Sequence, residues 1–279
     1  MKVKKWVLGC LLLAGTAGAA LGVTAAVGPD SGDGGERGRP LTTAEAQRFA
    51  LARFSRYEAS PVGLELRVPR GEATLLVSGV VDYRSHRAVG RYGVADTKGG
   101  DSASAGSRGL VAWDEGGLGV RPGASSPRDV TRAAAKPART AWSPRSYTSD
   151  PFDRALRLSQ SLGTDRPENA QLLAQGGARW LRSERVGGRT YDVFAGPRPR
   201  TDRTDRTDRR TSVSPLTYWV SRDGQLRRLE ARMDGLPRPV RIDFTGAGNG
   251  HGARAGNGAG AGAASKLPDR PWGGPARRS

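Results

Sequence analysis

One cysteine, two histidines and two methionines are all the soft or nitrogenous metal ligands that 279 residues carry. A lone cysteine, Cys10, excludes an intrachain disulfide. Zinc needs clustered His and Cys, and His86 and His251 do not make a cluster. Acidic residues are scarce too: 27 Asp and Glu stand against 45 Lys and Arg, a formal net charge of +18. Lysine accounts for only 6 of those 45, and with so much Ala and Gly the arginine excess reads as coding bias. The chain has no HExxH, CxxC, GxSxG or GxxxxGK[ST] motif. Gly100-Asp101-Ser102 has the GDS opening of one hydrolase class, but it sits in a Ser/Gly stretch with no placed histidine. Asp202, Asp205 and Asp208 are each flanked by arginine, which opposes a cation. The expectation is a protein that is not an enzyme and uses no cofactor and no metal. A glycosidase carboxylate pair leaves no motif to search for.

Glycine (40) and proline (18) are abundant, and the hydrophobic share of 36% is low for a fully folded chain. Basic charge concentrates where these residues do. Segments 97–109, 121–146, 197–212 and 246–279 carry +1, +5, +3 and +4 of the total. Residues 1–40 add +2, so the patterned remainder is close to neutral. The charge therefore belongs to solvated segments that meet anionic surfaces loosely, not to a folded basic face. Nucleic acid is not an expected partner. TDRTDRTDRR (201–210) is a tandem triplet without an apolar residue and reads as a tolerated insertion.

Lys2, Lys4 and Lys5 precede an uncharged run from Trp6 to Val27. As a helix its 22 residues span ~33 Å, enough for a ~30 Å hydrocarbon layer. The charge asymmetry places the N-terminus in the cytoplasm and the body outside. Cys10 is not expected to be lipidated. Gly9 before it fits, but only Trp6, Val7 and Leu8 separate Gly9 from Lys5, too few for the apolar region of a signal. Length favours a retained single-pass anchor at 1–27. Small-residue sites such as Val23-Thr24-Ala25 leave a cleaved signal peptide open, and both readings export the body. Residues 28–40 read as a linker.

Patterned sequence begins at Thr42-Thr43-Ala44-Glu45, whose spacing is that of a capping box. It opens a helix to about Tyr57, with Ala46, Phe49, Ala50, Phe54 and Tyr57 on one stripe. The period then changes to two. Val62, Leu64, Leu66 and Val68 alternate with Gly63, Glu65 and Arg67. Leu75, Val77, Val81 and Tyr83 share one face of a second strand, and Ala88, Tyr92 and Val94 of a third. Arg108–Trp113 and Leu118–Arg121 form a hairpin around Glu115-Gly116-Gly117. Asp150-Pro151 starts a helix that Gly163 ends, and a shorter one follows Pro167 and stops at Gly176-Gly177. Strands resume at 178–181 and 191–195 across Gly187-Gly188, then at 216–220 and 229–233 across Asp223-Gly224, and finally at 240–244. This is an α+β chain: an antiparallel sheet of about eight or nine strands, hairpin-linked, with three helices on one face. Its domain runs over 41–245, with low-complexity insertions at 97–108, 121–146 and 197–212. A Gly/Ala-rich basic tail, expected to be disordered, fills 246–279.

That order of elements resembles the LolA/LppX-type lipoprotein-carrier group. A helix is followed by GLELRV, ATLLVSGVVDY and HRAVGRYGVAD, by two mid-chain helices, and by a terminal set YWVSRDGQLRRLEARMDG…VRIDF. The resemblance implies a strongly curved half-barrel wrapped around helices, with an apolar cavity for a lipid or a lipidated partner. It makes Phe49, Leu66, Val77, Trp113, Phe152, Trp180, Trp219 and Phe244 the candidates to line that cavity. The alternative is an envelope regulator or scaffold, as in the sigma-factor regulators that share the half-barrel. Its basic loops would contact anionic lipids or wall polymers.

Overall fold

A computed structural model describes residues 38–96, 108–123, 130, 142–197 and 214–245. The anchor or signal segment, the TDR repeat and the Gly/Ala tail lie outside the described residues. Among those described, no helix is long and apolar enough to cross a membrane.

The alternating patterns become strands of one sheet. β1 is Arg39–Pro40, β2 Val62–Arg70, β3 Ala73–Asp82, β4 Arg87–Asp96, β5 Arg108–Asp114, β6 Gly117–Pro122 and β7 Ser143–Arg145. β8 is Arg179–Val186, β9 Arg189–Ala195, β10 Leu216–Val220, β11 Leu226–Ala231 and β12 Val240–Thr245. The order is β1-β8-β9-β10-β11-β12-β2-β3-β4-β5-β6-β7, all antiparallel and open at both ends. Twelve strands replace the eight or nine expected. The two outermost, β1 and β7, are two and three residues long, too short to show any period. They hold the ends of the segments read as linker and insertion against the sheet.

One apolar cluster draws side chains from β2 to β6 and from β9 to β12. Helix α3, Pro151–Gln160, packs on both β2 and β5, and its ~15 Å length matches the about 14 Å between those strands. Two glycines bring neighbouring strands close. Gly79 and Gly90 face each other across β3 and β4, and a Cβ on Gly79 would meet the Val89 carbonyl and lie 2.6 Å from the Gly90 Cα.

The helices cover the inner face. α1, Thr43–Ala50, and α2, Ala52–Glu58, are two pieces, where the stripe predicted one helix to about Tyr57. Leu51 ends one and begins the other. The break turns Ser55 and Arg56 inward and leaves Phe54 and Tyr57 half-buried. The predicted capping box is present: Glu45 N–H donates to Thr42 Oγ1 at 3.3 Å, and Thr42 N–H to Glu45 Oε2 at 2.9 Å. Thr42→Ala should therefore cost about 1 kcal/mol, read as a lower denaturant midpoint at an unchanged m-value. α3 begins as the Asp-Pro pair predicts, with Asp150 Oδ1 accepting from Phe152 N–H at 2.8 Å. α4, Ala170–Gln175, buries one side chain, Leu173, and leaves Leu172 63% exposed.

The outer face carries two smaller clusters. Val89, Leu110 and Ala112 are covered by Val130 and Trp142, which lie on the back of the sheet. Tyr191, Val193 and Trp219 form the other, with Leu181 and Val186 beside them.

Candidate functional site

Five of the eight predicted cavity residues meet in the inner cluster. Phe49, Leu66, Val77, Trp113 and Phe244 are at most 2% exposed. Phe49 stacks on Phe194 at 5.0 Å and meets Tyr218 edge-on at 4.9 Å. Phe152 and Trp180 pack at the margin of the same cluster. Side chains this inaccessible face no water-sized void, so in this conformation they fill the interior themselves. Trp219 is not one of them. Strand alternation places Tyr218 and Val220 in the inner cluster and Trp219 in the outer one. There the Trp219 ring lies beneath the guanidinium groups of Arg182 and Arg228, at 5.9 and 5.4 Å.

Buried polar groups secure the helices to this interior. The Trp113 indole N–H donates to Ser159 Oγ at 3.1 Å, and the Tyr83 hydroxyl to the Ser159 carbonyl at 3.0 Å. Asp153, fully buried on α3, accepts both terminal nitrogens of Arg145 and the Thr148 N–H and hydroxyl. Burial pushes the Asp153 pKa up, but the hydrogen bonds from Arg145 and Thr148 outweigh it and hold the carboxyl below its ordinary value. On the outer face Asp243 is held down in the same way by Arg241 and Arg228.

Arg56 has no such partner. It is 8% exposed, beneath α2 and 5.5 Å from the Phe244 ring. One terminal nitrogen donates to Gln225 Oε1, and the buried Nε has no hydrogen-bond partner. No carboxylate among the described residues pairs with it. Burial depresses its pKa, and Arg227 adds to that, while Tyr83, Asp223 and Tyr191 offset it in part. Sequence reading missed this residue.

A polar cleft of about 260 Å³ opens between α1 and β8–β9. Arg39 holds Glu45 with two hydrogen bonds, 2.7 and 2.6 Å, and covers the Trp180 ring at 4.3 Å. The Arg39 hydrogen bonds lower the Glu45 pKa to about 2. Asp192 accepts from Arg48 at 2.7 Å, Ser183 at 2.9 Å and Trp180 at 3.2 Å. Both carboxylates are occupied by structural partners and Trp180 is covered, so the cleft offers neither a free base nor an aromatic platform. Among the described residues no three His, Cys, Asp or Glu converge as metal ligands. His86 stands in an exposed turn, 3.2 Å from Glu115.

No family model and no curated protein matches the sequence. Among solved structures the chain is similar to the crystal structure of Mycobacterium tuberculosis lipoprotein LppX. The match has 14% identity and a TM-score of 0.38, over 73% of this chain and 93% of that one. It is also similar to an uncharacterized conserved protein from Thermus thermophilus, at 9% identity and a TM-score of 0.32, over 72% of this chain and 87% of that one. The first bears the name of the group that the order of elements resembles.

Proposed function

We propose that this chain is a non-enzymatic binding protein, held at or released from the outer side of a membrane by residues 1–27. It accepts the acyl chain of a lipid or lipidated partner between the inner face of its sheet and the helices above. The supporting observation is the apolar cluster across nine strands, roofed among the described residues by short helices. Polar clips tie that roof down at its margins. Arg48 reaches Asp192, and Arg53 joins Glu168 at 2.8 Å and the Ser161 carbonyl at 3.0 Å. An apolar sheet under separable helices can exchange contacts with its own side chains for contacts with an acyl chain at little net cost in buried area. The helices must move for this to happen, because the interior is filled. Solvent extraction of the full-length chain purified in amphipol, followed by mass spectrometry, should recover lipid in near-stoichiometric amount. A dansylated fatty acid should also bind. Neither lipid nor probe would remove this reading.

A second reading is an envelope scaffold or regulator. The sealed interior favours it, since a scaffold needs a solid core. It predicts no lipid in the extract, and envelope association that weakens with salt and with deletion of 197–212 and 246–279.

A further inference from the structure

Arg56 poses a problem that the fold leaves unsolved. A guanidinium taken out of water is costly unless a counter-charge and hydrogen bonds replace its hydration. Arg228, buried to the same degree, has that replacement, because it meets Asp243 at 2.7 Å. Arg56 has one amide oxygen, Gln225 Oε1, and one ring face, Phe244. A ring face is worth ~2 kcal/mol to a desolvated cation, well short of a carboxylate. The charges that bear on Arg56 are Arg227, which opposes it, and Asp223, which forms no ion pair with it and accepts a hydrogen bond from the Ser221 hydroxyl. The Nε–H is buried and unpartnered. A guanidinium in this state presents Nε and a terminal nitrogen side by side, the geometry that a carboxylate or phosphate accepts from.

We infer that Arg56 is the receptor for the anionic head, carboxylate or phosphate, of an amphiphile whose chain enters the apolar interior; this rests on the binding function proposed above. The surroundings select an amphiphile over a small anion. Ala52, Leu226 and Phe244 near Arg56 are buried and apolar, and Phe244 belongs to the same cluster as Leu64, Leu66 and Ile242. An anion on Arg56 completes a neutral pair at the wall of that cluster. A tail attached to the anion has only apolar side chains to lie against.

The test compares an undecanoic acid carrying a terminal dansyl group with its methyl ester, on full-length chain in amphipol. Wild type should bind the acid roughly tenfold or more tightly than the ester, the worth of one charge-assisted hydrogen-bonded contact. Arg56→Met should reduce that ratio to about one with ester affinity unchanged, and Arg56→Lys should retain part of it. Millimolar inorganic phosphate should not displace the acid. Equal binding of acid and ester by wild type overturns the inference while leaving acyl binding intact. Binding of neither probe overturns both. Phosphate binding without preference for the acid assigns Arg56 to a small anion and overturns the amphiphile. The wild-type comparison decides even if a variant fails to fold.

Discussion

Replacement of Asp153 by alanine is expected to lower the unfolding free energy by about 3 kcal/mol, the penalty of breaking a buried ion pair from one side. The carboxylate has no solvent exposure and satisfies Arg145, the Thr148 N–H and the Thr148 hydroxyl together. Its loss leaves the exposed Thr148 to water and frees β7 and the segment after it from α3. Arg145 is 43% exposed, so water relieves part of its loss and the cost sits at the low end of the range for buried pairs. The same contact predicts a pH dependence. The folded-state pKa of Asp153 is depressed below 3.8, so its contribution is complete above that value and is lost as pH falls through the folded pKa. Glu45, depressed from 4.5 to about 2, acts in the same direction over that span. Wild type should lose stability below about pH 4.5, and Asp153→Ala should lose less over the same range. Urea midpoints across pH 2 to 7 check both. An equal slope in the variant would mean that Asp153 is not held down by these partners.

Gly79→Ala should be at least as damaging, about 3 kcal/mol or more, because the added methyl meets backbone and no rotamer relieves it. The obstacles are the Val89 carbonyl and the Gly90 Cα on β4, which can yield only if the two strands separate. Gly71→Ala is the control. Gly71 has φ +60° with nothing within 4 Å of a new Cβ, so its cost is backbone conformation alone, about 1 kcal/mol. Comparable losses at the two positions would show that β3 and β4 are not close-packed at Gly79.

Much of this architecture was legible. Period-two runs from Val62 to Val68 and from Leu75 to Tyr83 name their inner residues, because alternate side chains must share a face. Caps at Thr42 and Asp150 are local chemistry, read from four residues at the first and two, Asp150-Pro151, at the second. The failures are equally physical. Phe54 and Tyr57 belong to an ideal stripe through Phe49, but the break at Leu51 turns the helix and brings Ser55 and Arg56 inward. Trp219 looks like a core residue in any hairpin, but it alternates with Tyr218 and Val220, and only the fold shows which of the two faces meets the helices. β1 and β7 have no pattern of their own and exist because β8 and β6 have an edge to pair with.

By itself the sequence determined the class of the body, an antiparallel sheet with helices on its inner side, and the absence of familiar catalytic and metal-binding motifs. Both follow from residue type and short spacing, which need no long-range information. The tertiary structure alone decided that five of the cavity candidates are sealed in one interior, and that an arginine indistinguishable in sequence from its neighbours at Arg48 and Arg53 is left buried without a counter-charge among the described residues. Burial and pairing are properties of what lies across the fold, from Gln225 and Phe244 more than 160 positions away, and no local pattern encodes them.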